Sequence, residues 1–376
     1  MNFDFSEEAL AIGEEAKRTL VRHDSLRGAR RVLDGLCPYD EPLWRLVAEL
    51  GWTAVSLPEA YEGSDLSDEV LCMLAYELGR ANAAIPFSSS VYFATMAIRI
   101  HGSVEQKQRL LPALGAGKAI GAFALAEGFE ATCTGPFSVK VNGALMSGTK
   151  WPVMDGTHAD FAIVAATDGS DDGTCGLYLV DLNAPGVERQ RLVTLDPTRD
   201  HARIRFDGAH AERLGSMRMS VEDMRTLIAR AGVPLAFELL GGAQACLDMA
   251  VEYAKQRYAF GRPIGSFQAI KHKLADMYIA VELARSNAYF AAWALAGDPL
   301  KLTIAAASAQ VCASTAFQLC AKENIQVHGG FGVTWEADCH LYLRRAKMLA
   351  ALTGPSSDWK EHIVSELVRH PDLITG

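Results

Sequence analysis

Basic residues are not in excess. Thirty-six lysines and arginines stand against 45 aspartates and glutamates, a net charge of −9 over 376 residues. No footprint for a phosphate backbone follows from that balance, and no nucleic-acid partner is expected. An anionic ligand is still compatible with it, because local donors hold a phosphate inside a net-acidic protein. The eight cysteines, at positions 37, 72, 133, 175, 246, 312, 320 and 339, include no C-x-x-C pair. They read as reduced, mostly buried thiols and not as a zinc site or a disulfide framework. The ten histidines do not cluster at metal-ligand spacing, so no metal is expected. G-x-G-x-x-G after a strand, a Walker loop, a G-x-S-x-G elbow and H-E-x-x-H are all missing, which removes the main support for hydrolase, kinase and zinc-enzyme readings. The N-terminus, MNFDFSEEALAIGEE, has no basic n-region, and no segment offers the roughly 18 uninterrupted apolar residues of a membrane span. The expectation is a cytoplasmic protein without a membrane span.

What is present is a globular composition, 49% apolar and 22% charged, with length for two or three domains. Residues 1–118 read as helical, with a 3.6-residue stripe of Leu10, Ile12, Ala16 and Leu20 repeated around Trp44, Val47 and Leu50 and over 69–83. The texture changes near Gly121. Residues 137–148 alternate around Asn142-Gly143, a strong hairpin signal, and 160–166, 176–182 and 202–208 are further short strands, giving a β-rich section over 119–222. From 223 to 376 the helical period returns. Pro234 suits the first turn of a helix facing inward through Leu235, Leu239, Ala243, Leu247, Ala250 and Ala254. Ser266 suits the N-cap of the next helix, with Ile270, Leu274, Met277 and Val281 inward, and an alanine-rich helix over 301–327 ends at Gly329-Gly330. Helices, then strands, then helices argue for an α+β protein of segregated domains.

Two segments are unusual. In YAKQRYAFGRPIGSFQ (253–268), a helix end followed by a tight turn accounts for Gly261, Pro263 and Gly265 but not for Arg257, Phe260 and Gln268. In QVHGGFG (326–332), the glycines either end a helix or let the backbone approach a phosphate, with Gln326 as a side-chain donor. His328 reads as a local hydrogen-bond partner, Arg344 and Arg345 as a solvated or interface charge pair, and Trp335 as an interface or core anchor.

Together with AIKHKLADM (269–277) and HLYLRRAK (340–347), these segments resemble the acyl-CoA dehydrogenase family of flavoproteins over essentially the whole chain. The resemblance implies an N-terminal helical domain, a middle β-barrel and a C-terminal four-helix bundle, assembled as a tetramer with FAD at subunit interfaces. It implies that Arg257 pairs with the FAD diphosphate of a neighbouring subunit, as bidentate guanidinium geometry suits. Phe260 and Gln268 would contact the adenosine end, and Gln326, Gly329 and Gly330 would contribute from the dimer partner's side. The implied reaction is α,β-dehydrogenation of an acyl-CoA thioester, with a carboxylate taking the α-proton, hydride passing to the flavin, and electrons leaving to an electron-transfer flavoprotein.

This sequence departs from the family's pattern around the ring. Thr353 stands at the usual base position in RRAKMLAALTGP, and Ala231 at the alternative one. In the flavin loop AEGFEATC (126–133) Glu127 is kept, but Ala126 replaces a hydroxyl. In KWPVMDG (150–156) Met154 stands where a threonine would contact flavin N5, with Trp151 shifted by one residue. Three explanations stay open: unlike paired subunits, as in some bacterial dehydrogenases that shorten steroid side chains; a homo-oligomer with a relocated base; or a catalytically silent subunit that completes a partner's FAD site. Glu238, two helical turns beyond Ala231 on the same face, is the nominee for a relocated base; its structural alternative is a helix glutamate paired with a neighbouring charge. Glu336 and Asp338 read as structural.

Overall fold

Ser6 opens the first helix by accepting a hydrogen bond from Ala9 N at 3.2 Å, and α1 (Glu7–His23) ends at Asp24, whose backbone is left-handed. The computed structural model describes residues 5–128, 135–169, 175–216, 218–297 and 299–371. The buried face of α1 is Ala9, Gly13, Ala16 and Leu20. Leu10 of the expected stripe is 46% exposed, because a one-residue step turns a helix by 100°. The chain continues through α2 (Ser25–Leu33), α3 (Glu41–Glu49), α4 (Asp68–Arg80), a π-helical stretch Ser88–Thr95, α5 (Met96–His101) and α6 (Val104–Gly115). A capping box, Ser103 with Gln106, starts α6.

The β-rich section holds β1 (Gly121–Ala124), β2 (Lys140–Asn142), β3 (Leu145–Met154), β4 (Phe161–Asp168), β5 (Cys175–Asp181), β6 (Val187–Arg191), β7 (His201–His210) and β8 (Glu212–Arg213). The Asn142-Gly143 signal is a hairpin between β2 and β3, with Gly143 at φ 64°. The order is β6-β7-β3-β2-β4-β5-β8, with β1 added parallel to β4. Among the described residues β6 and β8 do not pair, so the sheet is an open half-barrel in place of the closed barrel expected. The β3–β7 register breaks between Lys150 and Val153, around Pro152, which has no N–H to give a ladder.

The last third begins with α7 (Val221–Gln256), followed by the small hairpin β9 (Tyr258–Ala259) and β10 (Arg262–Pro263), then α8 (Gln268–Ala294), α9 (Pro299–His328), α10 (Cys339–Leu352) and α11 (Ser356–Arg369). Pro234 lies inside α7 and not in a first turn, because the helix begins 13 residues earlier than its apolar face suggested. Ser266 is not an N-cap. Its hydroxyl donates to Pro263 O at 2.7 Å, and α8 starts after Phe267 with no side-chain cap. Alanines 284, 288 and 291 of α8 and 305, 306, 309, 313 and 316 of α9 are buried, the small-residue packing expected of closely spaced helices. Val221–Gln256 and Pro299–Val333 are long and apolar enough on average to cross a membrane, though neither is an uninterrupted apolar run, and 89% and 61% of their most apolar windows is buried inside the protein. They are core helices.

By packing, the described chain gathers into two compact units. One contains residues 1–29, 68–83 and 232–376, and the other 30–67 and 84–231. In the helical unit, Gly79 of α4 and Gly241 of α7 mark a close crossing: a Cβ on Gly79 would overlap the Glu238 carbonyl, and one on Gly241 the Tyr76 carbonyl. Cys37, Cys72, Cys175, Cys246, Cys312, Cys320 and Cys339 are free, and burial raises their pKa values, Cys320 to about 12. Cys133, with residues 129–133 of the loop carrying Glu127, lies outside the described residues.

Candidate functional site

In the helical unit α7 stops where Arg257 N donates to Tyr253 O at 2.8 Å, and Ile264 N closes the hairpin onto Arg257 O at 2.8 Å. Phe260 and Gly261 at its tip both have positive φ, 53° and 78°. That pattern suits a two-residue hairpin turn but strains an aromatic residue. Phe260 is nonetheless 96% exposed. Arg257 is exposed, and among the described residues no carboxylate pairs with its guanidinium. Gln268 is exposed at the start of α8.

The end of α9 lies against the same place. The His328 ring stacks on Tyr253 with centroids 4.1 Å apart, and its Nδ1 contacts Asn324 O at 2.8 Å, the local role expected. Gly329 follows at φ 62°, and a Cβ on Gly329 or Gly330 would meet nothing within 4 Å. Gln326 and both glycines are exposed. Arg257 is one turn past Tyr253 and Gly329 adjoins His328, so both segments reach one end of the same unit. An unpaired guanidinium, a free carboxamide and open glycine backbone make a donor set that fits a diphosphate.

Glu238 is in a different environment. It is 3% exposed, and its Oε1 lies 3.8 Å from Arg345 Nη1. Arg345 is itself 2% exposed and donates to Ala83 O at 3.0 Å, so it is neither a solvated nor an interface charge. The geometry is that of the structural alternative, a paired buried carboxylate. Thr353 is buried at the end of α10 and Ala231 inside α7. Trp335 is half exposed and stacks on His340 at 5.2 Å.

In the sheet unit, the break in β3 lets the backbone of Trp151 pair elsewhere: Trp151 N donates to Ala126 O and Gly128 N to Trp151 O, each at 2.9 Å. Glu127 is thereby brought beside Trp151. Its carboxylate accepts from Lys150 Nζ at 2.8 Å, from Ser138 N and Oγ at 2.6 Å, and from Val139 N at 3.0 Å. Burial alone would raise its pKa, but these bonds outweigh burial and lower it. Lys150 is fully buried, and desolvation pulls it down to about 8 against the support of Glu127. Glu127 thus clamps its loop to β3 instead of presenting a free carboxylate.

Met154 is buried, with Arg199 Nη2 3.3 Å from its sulfur. The same nitrogen is 3.5 Å from Asp155 Oδ2, which accepts from Ser89 Oγ at 2.5 Å. Burial pushes the Asp155 carboxyl up, opposed by Arg199 and Ser89. Arg203 lies over the Trp151 ring, 4.8 Å from its centroid. Sequence reasoning missed Arg199 and Arg203; the charged run DPTRD inside an apolar, strand-rich section was the available signal.

Family models describe the same chain. That of the acyl-CoA dehydrogenase N-terminal domain matches residues 6–118, and that of the C-terminal domain residues 222–367. An acyl-CoA dehydrogenase named IpdE2 from Mycobacterium tuberculosis is 32% identical over 97% of this chain and 99% of its own. Among solved structures, a variant of the steroid ACAD Tcur3481–Tcur3483 is 30% identical with TM-score 0.88, covering 97% of this chain and 99% of that one. The ChsE4–ChsE5 complex from Mycobacterium tuberculosis is 29% identical with TM-score 0.88, over 98% and 99%. Matches at both ends of the sequence, and relatives aligned over nearly its full length, make this chain a member of the acyl-CoA dehydrogenase family, whose cofactor is FAD.

Proposed function

We propose that this chain serves FAD-dependent α,β-dehydrogenation of an acyl-CoA thioester as one member of a heterotetramer of unlike subunits, completing the FAD site of a partner chain that carries the base. Electrons leave the assembly to an electron-transfer flavoprotein. The observation that carries this reading is the state of the candidate base positions. Thr353 and Ala231 have no carboxylate, and Glu238 is buried and paired with Arg345. A general base must reach the substrate's α-carbon as a free carboxylate, so the reading gives that role to another chain.

This chain's own contribution is binding. Arg257 would hold the diphosphate, because a planar guanidinium suits a phosphate's paired oxygens in a way a lysine does not. Gln326 donates its carboxamide, and Gly329 and Gly330 let the backbone come close. Phe260, held out at a strained hairpin tip, would contact the adenosine end together with Gln268. FAD, when bound, supplies the hydride-accepting ring. The two similar structures named as pairs of chains support unlike subunits, and the steroid ACAD makes a steroid-derived acyl-CoA the first substrate to assay. Free thiols fit a reducing compartment, the cytoplasm.

The test is the visible spectrum of this chain alone and co-expressed with a chain of the same family that carries the base glutamate. The expected result is flavin bands that bleach on adding an acyl-CoA only in the paired preparation. Bleaching by this chain alone overturns the unlike-pair reading. In the pair, Arg257→Ala should lose most of the bound flavin; full retention contradicts its role.

A further inference from the structure

Four contacts within the helical unit order the long helices α7 and α9. The Gln310 carboxamide donates to Gly232 O, and a Cβ on Gly242 would overlap the Phe317 ring. Asn324 Nδ2 lies 3.8 Å from Met249 Sδ, and the His328 ring stacks on Tyr253 with centroids 4.1 Å apart. Each step up α7 is matched by a step up α9, so the two helices run side by side in the same direction and end at one place. A helix C-terminus carries carbonyls without partners and a partial negative charge. Neither of these two ends offers the N–H groups with which a helix N-terminus receives an anion. A diphosphate received there depends on the Arg257 guanidinium, the Gln326 carboxamide and the glycine backbone, and on the spacing between them.

Of the four contacts, the Tyr253–His328 stack is the nearest to that place. Arg257 follows Tyr253 by one turn and its N–H donates to Tyr253 O at 2.8 Å, while Gly329 follows His328 directly. The histidine is itself held. A carbonyl only accepts, so Nδ1 carries the proton it donates to Asn324 O at 2.8 Å. The turn folds back over the same residue, since a Cβ on Gly332 would lie 2.8 Å from His328 Cβ, and His328 is 9% exposed. Both turns thus hang on one aromatic pair. We propose that Tyr253 and His328 are positioning residues for the dinucleotide: their stack sets the spacing between Arg257 and the 326–330 turn, so that the donors meet a diphosphate as one preformed set. The proposal rests on the reading of those donors as a diphosphate grip, and adds which side chains keep the grip in register. Neither ring touches the cofactor. Donors already in place lose less freedom when the ligand arrives, and that is the pair's contribution to binding.

FAD is stripped from whichever assembly holds it, this chain alone or with its partner, and titrated back by the quenching of flavin fluorescence. Arg257→Ala should weaken FAD binding by about tenfold or more. His328→Ala and Tyr253→Leu should each weaken it by about five- to tenfold. His328→Phe and Tyr253→Phe, which keep a stacked ring pair, should stay within about twofold. In the Arg257→Ala background, His328→Ala should change the affinity by less than about twofold, because the donor it would space is gone. Phe317→Leu, about three turns back along α9, should lower the melting temperature and leave FAD affinity as it was. Loss in Arg257→Ala together with full affinity in His328→Ala or Tyr253→Leu overturns the positioning role and leaves the grip standing. Full affinity in Arg257→Ala, or an assembly that holds no FAD, overturns grip and positioning together. Loss in the phenylalanine variants equal to that in Tyr253→Leu overturns the stack as the device. Tyr253→Leu and the phenylalanine variants decide the matter even where His328→Ala does not fold.

Discussion

Glu238 Oε1 and Arg345 Nη1 stand 3.8 Å apart, with 4% and 2% of their side chains exposed. The pair joins α7 to α10, and through the Arg345 bond to Ala83 O it reaches the residues that follow α4. Breaking one partner of a buried pair leaves the other charge desolvated, whereas replacing both with apolar groups is far cheaper. Arg345→Met should therefore destabilise the protein by about 3–5 kcal/mol, and adding Glu238→Leu should recover a large part of that loss. Chemical denaturation of the two single variants and the double variant measures the coupling. Additive losses would show that the pair is not coupled. Glu238→Gln should leave turnover of the assembled enzyme in place while lowering its stability.

The crossing of α4 and α7 depends on missing side chains. A Cβ on Gly79 would collide with backbone, which cannot rotate aside. Gly79→Ala should cost about 1–3 kcal/mol by overpacking, despite the better helix propensity of alanine. A melting temperature equal to or above that of the unaltered protein would refute the close crossing.

Glu77 on α4 is buried, and desolvation raises its pKa to about 7, against the opposing influence of Arg80 and Lys17. A carboxyl with a raised folded-state value is protonated in the folded chain before it is in the unfolded one, so its contribution to stability is greatest below about pH 4.5 and falls as pH rises to about 7. Glu77→Gln removes that dependence. The variant should gain about 1–3 kcal/mol relative to the unaltered protein between those limits, with no further change above. Denaturation midpoints across pH 4–8 follow the difference, and a pH-independent difference would contradict it.

Lys150 holds the Glu127 loop from beneath, donating to Leu125 O at 2.9 Å as well as to the carboxylate. Its folded-state pKa is depressed to about 8 from 10.5. The folded chain therefore releases that proton before the unfolded chain does, and the cost of burying the charge is relieved as pH rises from about 8 toward about 10.5. Lys150→Met should destabilise by about 1–3 kcal/mol, because Glu127 keeps its other donors but loses its counter-charge. Faster amide exchange at Gly128 and Trp151 would mark the released loop, and unchanged exchange would deny Lys150 its clamping role.

The helix–strand–helix order was legible from periodicity, and so was the Asn142-Gly143 hairpin, because these features are written in near neighbours along the chain. The segments around Arg257 and Gly329-Gly330 stood out in the sequence as more than a turn and a helix end require, but the exposure of Arg257 and the open space at both glycines are read only from the fold. Errors arose where an element's extent is set by distant packing. Pro234 falls inside α7, whose first residues belong to the sheet unit, and Ser266 spends its hydroxyl on Pro263 O rather than on a helix start.

Sequence by itself determined the family pattern and the positions that lack a carboxylate, since a missing functional group is a fact of composition. Only tertiary structure decided what the remaining polar groups do. Whether Glu238 is a free base or half of an ion pair, whether Arg345 meets water or protein, and whether Met154 has a guanidinium behind it all depend on side chains brought in from other elements. Those neighbours set desolvation and pairing, the two quantities that fix the state of a charge.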